Sequence, residues 1–205
     1  MTENWFSSTN SLTQIETDCW NLLQHAVDDR NCGWRLPVLA TCSEGTLRQR
    51  TLVLRQVHPE QRQILVHTDV RSGKVRAIRQ SPQVTWLFYD TQHQVQLHLT
   101  GTATIHTDDA IADQLWNTQP QSSLRGYLGS LLPGRICDQP ENNIPANLRG
   151  KIPTREELSS GRVNFAVICC LIDSAECLLL SPEGNRRAVF RYSSGQTASA
   201  DWVVP

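Results

Sequence analysis

Apolar positions along the chain change period near residue 30. Before it, Leu12, Ile15, Cys19, Leu22, Leu23 and Ala26 recur at three- and four-residue spacing, which predicts an amphipathic helix over residues 10–29. Asn10 or Ser11 can accept the first free N–H groups, and Asn31-Cys32-Gly33 ends the helix, with Gly33 able to take the left-handed conformation. After it the period falls to two. Leu36 to Cys42 is short and apolar, and Glu44-Gly45 turns into a strand from Leu47 to Val57. His58-Pro59-Glu60-Gln61 is a hairpin loop, and Gln63 to Thr68 returns as its partner. Arg71 to Gln80 reverts to helical spacing through Val75, Ala77 and Ile78, and Ser81-Pro82 stops it. Val84 to Tyr89 is an apolar strand, turned by Asp90-Thr91-Gln92-His93 into the long strand Gln94 to His106.

The second half is less regular. Thr107-Asp108-Asp109 caps a helix through Trp116, and Ser122 to Gly129 forms another carrying Leu124, Tyr127 and Leu128. Pro133-Gly134, Pro140, Asn142-Asn143, Pro145, Gly150 and Pro153 break every pattern across 130–153, and a loop of that length implies a functional or mobile segment. Thr154 to Leu158 is a short capped helix; Val163 to Ile172, Cys177 to Leu180 and Arg187 to Tyr192 are strands. Strands joined by hairpins, with one helix between them, predict a mainly β (α+β) fold, a closed or split β-barrel of seven or eight strands with flanking helices. One domain is expected over 1–205. It comprises the N-terminal helix, a barrel core over 36–106, a helical and loop insertion over 107–160 and C-terminal strands over 163–205.

Composition narrows the class without naming a function. A chain of 205 residues can bury one large core, and 39% apolar with 19% charged residues is ordinary for a soluble globular protein. The net charge of −1 argues against whole-surface attraction to nucleic acid or an anionic membrane, so neither is an expected partner. Seven cysteines without C-x-x-C pairing fit neither a zinc ribbon nor a disulfide framework; Cys169 and Cys170, inside an apolar run, read as small buried hydrophobes. The six histidines share no ligand spacing, so no metal site is expected. Trp5, Trp20, Trp34, Trp86, Trp116 and Trp202 scatter as core or interface residues would. The N-terminus lacks a basic region followed by an apolar run, and no apolar stretch reaches the ~20 residues that span a bilayer, so a cytoplasmic location is expected.

Charge is concentrated in one place. Arg48, Arg50, Arg55, Arg71, Lys74, Arg76 and Arg79 fall within about thirty residues, and Ser72-Gly73-Lys74 stands at a helix start, where free N–H groups and the positive helix end favour a phosphate. Arg50 and Arg55 are five apart and face opposite sides of a regular strand, so serving one ligand requires a bulge or different targets. The glycine spacing of a Walker or dinucleotide fingerprint is absent. Spacing alone leaves a solvated charged face open as the alternative.

The order of these pieces resembles the flavin-binding half of the pyridoxamine 5′-phosphate oxidase family. Its strand motif, Arg, four residues, Lys, corresponds to Arg50 and Arg55. Its aromatic-Thr-Asn, then Ser-Arg-Lys opening a helix, corresponds to His67-Thr68-Asp69 and Ser72-Gly73-Lys74. A residue and Pro (Ser81-Pro82), an aromatic strand (Trp86, Leu87, Phe88) and Gln-Val-Arg-x-x-Gly (Gln96 to Gly101) follow in order. The resemblance implies an FMN-binding split-barrel homodimer in which Arg50, Arg55, Ser72 and Lys74 hold the phosphate and ribityl chain, Thr68 reaches the ring and Gln96 arrives from the partner subunit.

The substrate end departs from the family. Aligned on Pro120, its Tyr, Arg and Ser become Leu115, Gln119 and Ser123; its closing Arg-Leu-His-Asp-Arg becomes Arg187 to Arg191, keeping both arginines and losing the His-Asp; Ser181 stands where it has a tryptophan. By resemblance, Arg191 contacts FMN, and Arg187 and Ser123 contact a small-molecule substrate. Losing the phosphate-binding arginine removes an anchor of about 2–3 kcal/mol. The implied protein is a divergent FMN-dependent oxidoreductase whose substrate is not pyridoxamine 5′-phosphate, with no catalytic side chain identified. The alternative is a non-catalytic protein binding flavin, haem or a deazaflavin on the same barrel.

Overall fold

The computed structural model describes Phe6 and residues 11–205; Trp5 and Asn10 lie outside the described residues. Helix α1 (Leu12–Asp28) is capped by the Ser11 hydroxyl, which accepts from the Gln14 N–H at 3.3 Å, and it buries Ile15, Cys19, Trp20, Leu22, Leu23 and Ala26. It stops at Asp28 without help from Gly33, whose φ is not positive. Gly33 instead opens a 3₁₀ turn, Gly33–Arg35, where a Cβ would sit 2.6 Å from the Tyr89 carbonyl oxygen. A close approach, not a left-handed turn, requires glycine here.

Among the described residues the sheet is antiparallel and nine-stranded: β1 (Val38–Ser43), β2 (Thr46–Thr51), β3 (Leu54–His58), β4 (Gln63–Asp69), β5 (Gln83–Asp90), β6 (Val95–His106), β7 (Phe165–Leu179), β8 (Arg186–Ser193) and β9 (Gln196–Val203). The path β2-β1-β5-β6-β7-β4-β3 begins and ends on strands that are neighbours in sequence. The continuous strand expected over Leu47 to Val57 is therefore two strands on opposite edges, joined by Leu52 and Val53 alone. Three Cα steps span at most ~11 Å, so the edges come together and the sheet curls into a barrel left open along one seam. Leu52 donates its N–H to the Pro37 carbonyl at that crossing. This is the expected split barrel.

The remaining differences follow from exposure and packing. Val163 to Ile172 and Cys177 to Leu180 merge into β7, across an extra residue, Asp173, where the β6 register shifts between Thr100 and Gly101. Strand β9 was not expected: it pairs only with β8 and is mostly exposed and polar, so no alternation announces it. Helix α2 (Gly73–Gln80) appears where apolar spacing and Ser81-Pro82 predict it, and α3 (Ala110–Thr118) and α5 (Arg155–Leu158) where capping does, with Asp109 capping α3 and a full capping box from Thr154 and Glu157 on α5. The helix expected over Ser122 to Gly129 is instead α4 (Gln121–Leu124) followed by a 3₁₀ turn, Arg125–Leu128. Residues 130–153 are irregular apart from the turn Ala146–Leu148, and are tied down by Asn143, which bonds both the N–H and the carbonyl of Leu131.

Strand alternation fixes what each face meets. Leu39, Trp86, Leu99, Ala175 and Phe190 align across the sheet and point into the barrel with α1. On the other side of β4 and β7, Leu65, Phe165 and Val167 pack against Leu115, Trp116, Leu124 and Leu158. Both strands are thus covered twice, which explains their apolar runs. Among the described residues no helix is long and apolar enough to cross a membrane.

Candidate functional site

The basic stretch is brought together at the edge of the barrel, between β1, β2 and the start of α2. Arg50 lies opposite Leu39 and so shares the core-facing side of β2; its guanidinium donates to the Leu39 carbonyl at 3.2 Å and to Thr41 Oγ1 at 2.9 Å. Lys74 Nζ donates to Thr68 Oγ1 at 3.0 Å and Ser72 Oγ at 3.2 Å, and those two hydroxyls are 3.3 Å apart. Thr68 is held at the end of β4 and Ser72 at the N-cap of α2, where its side chain caps no N–H and turns instead to Lys74 and Thr68. Asp69 is kept out of this group: it takes the Arg71 side chain at 2.7 and 2.9 Å.

No carboxylate lies within ion-pairing distance of Arg50 or Lys74 among the described residues. Burial, then Arg48, lowers the pKa of Arg50; burial, then Arg50, lowers that of Lys74. Like charges held together and partly desolvated, opposed at Lys74 only by the charge of Asp69, which Arg71 already pairs, form a site whose electrostatics an anion would relieve. Arg50, Ser72 and Lys74 border a cavity of about 660 Å³ that also meets Arg48, Arg76, Thr41 and the loop residues Leu132, Pro133 and Gly134. Arg48 has the same strand parity as Arg50, so sequence reasoning could have placed it here; nothing in the loop's sequence signalled its approach.

Arg55 does not join the group. It stands on β3, across the seam, at a bulge between Leu54 and Gln56. Burial lowers its pKa, with Tyr127 and Arg35 as its charged or ionisable neighbours. Gln96, Arg187 and Arg191 are elsewhere again. Gln96 alternates with the buried Val95 and Leu97, so it faces away from the core, and the ladder puts Arg187 and Arg191 on the same outward face. Arg187 bonds Glu176 at 2.7 Å, and Arg191 lies 3.5 Å from Asp201. Ser123 is half-buried, and its hydroxyl donates to the Pro120 carbonyl at 2.8 Å. No grouping of three or more His, Cys, Asp or Glu that could hold a metal ion occurs among the described residues, and the seven cysteines are free.

Residues 17–107 match the family described as pyridoxamine 5′-phosphate oxidase, FMN-binding domain. A pyridoxamine 5′-phosphate oxidase-related, FMN binding protein from Nostoc punctiforme has a similar structure, with a TM-score of 0.72 at 21% identity over 91% of this chain and 96% of that one. PhzG from Burkholderia lata, solved with tetrahydrophenazine-1-carboxylic acid, is similar over 100% of this chain and 98% of its own, with a TM-score of 0.66 at 13% identity. A general stress protein 26-related protein from Clostridium acetobutylicum gives 0.56 at 13% identity, over 89% of this chain and 98% of that one. No protein of curated function matches the chain. At these identities the structures speak for the fold, and the matched segment contains the whole strand–helix cradle. Residues 17–107 thus match the FMN-binding domain of the pyridoxamine 5′-phosphate oxidase family, and the chain has the split-barrel fold of these structures.

Proposed function

We propose that the protein is an FMN-dependent oxidoreductase that works as a homodimer. The observation that carries this reading is the group formed by Arg50, Thr68, Ser72 and Lys74, two cations and two hydroxyls brought together with no carboxylate in ion-pairing distance of either cation among the described residues. A phosphate dianion needs several charge-assisted donors at once, and this arrangement supplies them. Arg55, across the seam, is assigned to the ribityl or ring end of the same flavin. Gln96 and Arg191 face outward and reach a flavin only on a second copy of the chain. Bound FMN would supply the hydride-accepting centre, and the protein's residues hold and orient it.

The substrate is a small molecule other than pyridoxamine 5′-phosphate. Leu115 and Gln119 offer no cation where the family has its anchor, Ser123 is turned to Pro120, and Arg187 is engaged by Glu176. The same observations favour a second reading, flavin binding without turnover. Reduction of the bound flavin by a panel of amines and reduced nicotinamides, followed by reoxidation in air, separates the two.

The direct test is binding. The purified protein should carry or take up FMN, and Arg50→Ala with Lys74→Ala should weaken FMN by about a hundredfold or more, from two charge-assisted contacts of about 1.5–3 kcal/mol each. Unchanged FMN affinity in that double variant overturns the assignment.

A further inference from the structure

The cavity does not end at the proposed phosphate position. Where the family motif has Ser-Arg-Lys, this chain has Gly73, and a Cβ built there meets nothing within 4 Å. The gap continues between the outer end of β2 and the exposed side of α2, past Arg48 and Arg76. Neither arginine has a hydrogen bond or ion pair among the described residues, and Glu44, the acid on this rim, pairs with neither. Leu132 and Pro133 of the long loop give the same cavity an apolar stretch of wall. A volume of about 660 Å³ falls in the range of sites that enclose whole ligands, far more than one phosphate fills.

We infer that Arg48 and Arg76 form a second phosphate subsite, and that the cavity accepts a flavin whose 5′-phosphate is extended through a pyrophosphate to a second nucleoside: a flavin dinucleotide. This rests on the flavin reading given above and extends it outward from the cradle. In a pyrophosphate diester each phosphate carries about one negative charge. Arg50 and Lys74 then face the inner phosphate and Arg48 and Arg76 the outer, while the flat purine ring lies on Leu132 and Pro133. A monophosphate would leave the outer pair of arginines without a counter-ion. The missing arginine at Gly73 is what opens the way.

The experiment compares FMN with flavin adenine dinucleotide on the flavin-free full chain, by equilibrium dialysis at fixed ionic strength. The dinucleotide should bind at least as tightly as FMN. Gly73→Arg, which refills the gap, and Arg48→Ala with Arg76→Ala should each lower the dinucleotide-to-FMN affinity ratio by tenfold or more, with thermal unfolding showing that each variant is folded. A wild-type preference for FMN of tenfold or more overturns the inference and leaves the FMN reading standing. A ratio unmoved by Gly73→Arg also overturns it. Failure of the wild-type chain to bind either flavin overturns both readings together.

Discussion

His67 stands where the resembled motif has an aromatic residue, and its imidazole packs on an aromatic neighbour. Its ring meets Phe165 edge-on at 4.9 Å, and its Nε2 is buried with no hydrogen-bond partner. Burial first, then the positive charge of Arg55, pushes its pKa down to about 3 from an ordinary 6.5. Between those values the unfolded chain binds a proton that the folded chain does not, so stability rises with pH through that window and is complete above 6.5. The slope this one group adds is about 1.4 kcal/mol per pH unit at most. His67→Phe keeps the edge contact and removes both the orphaned nitrogen and the titration. Urea unfolding from pH 4 to 7 should therefore show a flatter pH dependence in the variant, with the largest gain in stability at the acid end. Parallel curves for the two proteins would mean that His67 is protonated in the fold at no cost. Residue parity was also the most legible level of the site: Arg48 and Arg50 share a face of β2 as alternation requires, and the five-residue offset of Arg55 marked it as aimed elsewhere.

At the level of elements, Gly101 shows how a motif glycine is explained by a neighbouring strand. It lies where β6 passes the extra residue of β7, and a Cβ there would stand 2.2 Å from the Leu171 carbonyl oxygen and 2.9 Å from Cys170 Sγ. The obstructing atom is ladder backbone between two central strands, so it cannot yield cheaply. Gly101→Ala should lower stability by about 2–3 kcal/mol or more, in the manner of an overpacked core; a shift below about 0.5 kcal/mol in urea denaturation would refute this packing account. Elements with a strong local signal were readable in advance: α1 from its apolar stripe and Ser11, α5 from its capping box, β4 and β5 from their apolar runs. Those set by distant partners were not. The break at Leu52 and Val53 exists because β2 must pair with β1 while β3 pairs with β4, and β9 exists because β8 offers it an edge. The approach of Leu132 and Pro133 to the cations belongs to the same class, since it depends on how a long irregular loop lies over the barrel.

The whole molecule poses the question of what the outward sheet face is for. Alternation brings Tyr89, Gln96, Leu178 and Arg187 into one row and Leu87, His98, Glu176 and Val189 into the next. Leu87 and Tyr89 are 39% and 46% exposed there, beside polar groups that face away from the cradle on the same chain. A homodimer built on this face would bury those apolar groups and carry Gln96 and Arg191 to the flavin of the other copy. Leu87→Arg tests that arrangement with little risk to the fold, because the side chain is partly in water in the isolated chain. The wild type should be a dimer by light scattering at tens of micromolar. The variant should be a folded monomer whose FMN affinity falls by about tenfold or more, since it keeps Arg50, Ser72 and Lys74 but loses the second copy's contacts. The two effects should move together, and dimerisation of the wild type should tighten when FMN is present, because a ligand shared by two chains links their association to its own binding. A wild-type monomer with full FMN affinity, or a monomeric variant that binds FMN as the wild type does, would place the complete flavin site within a single chain.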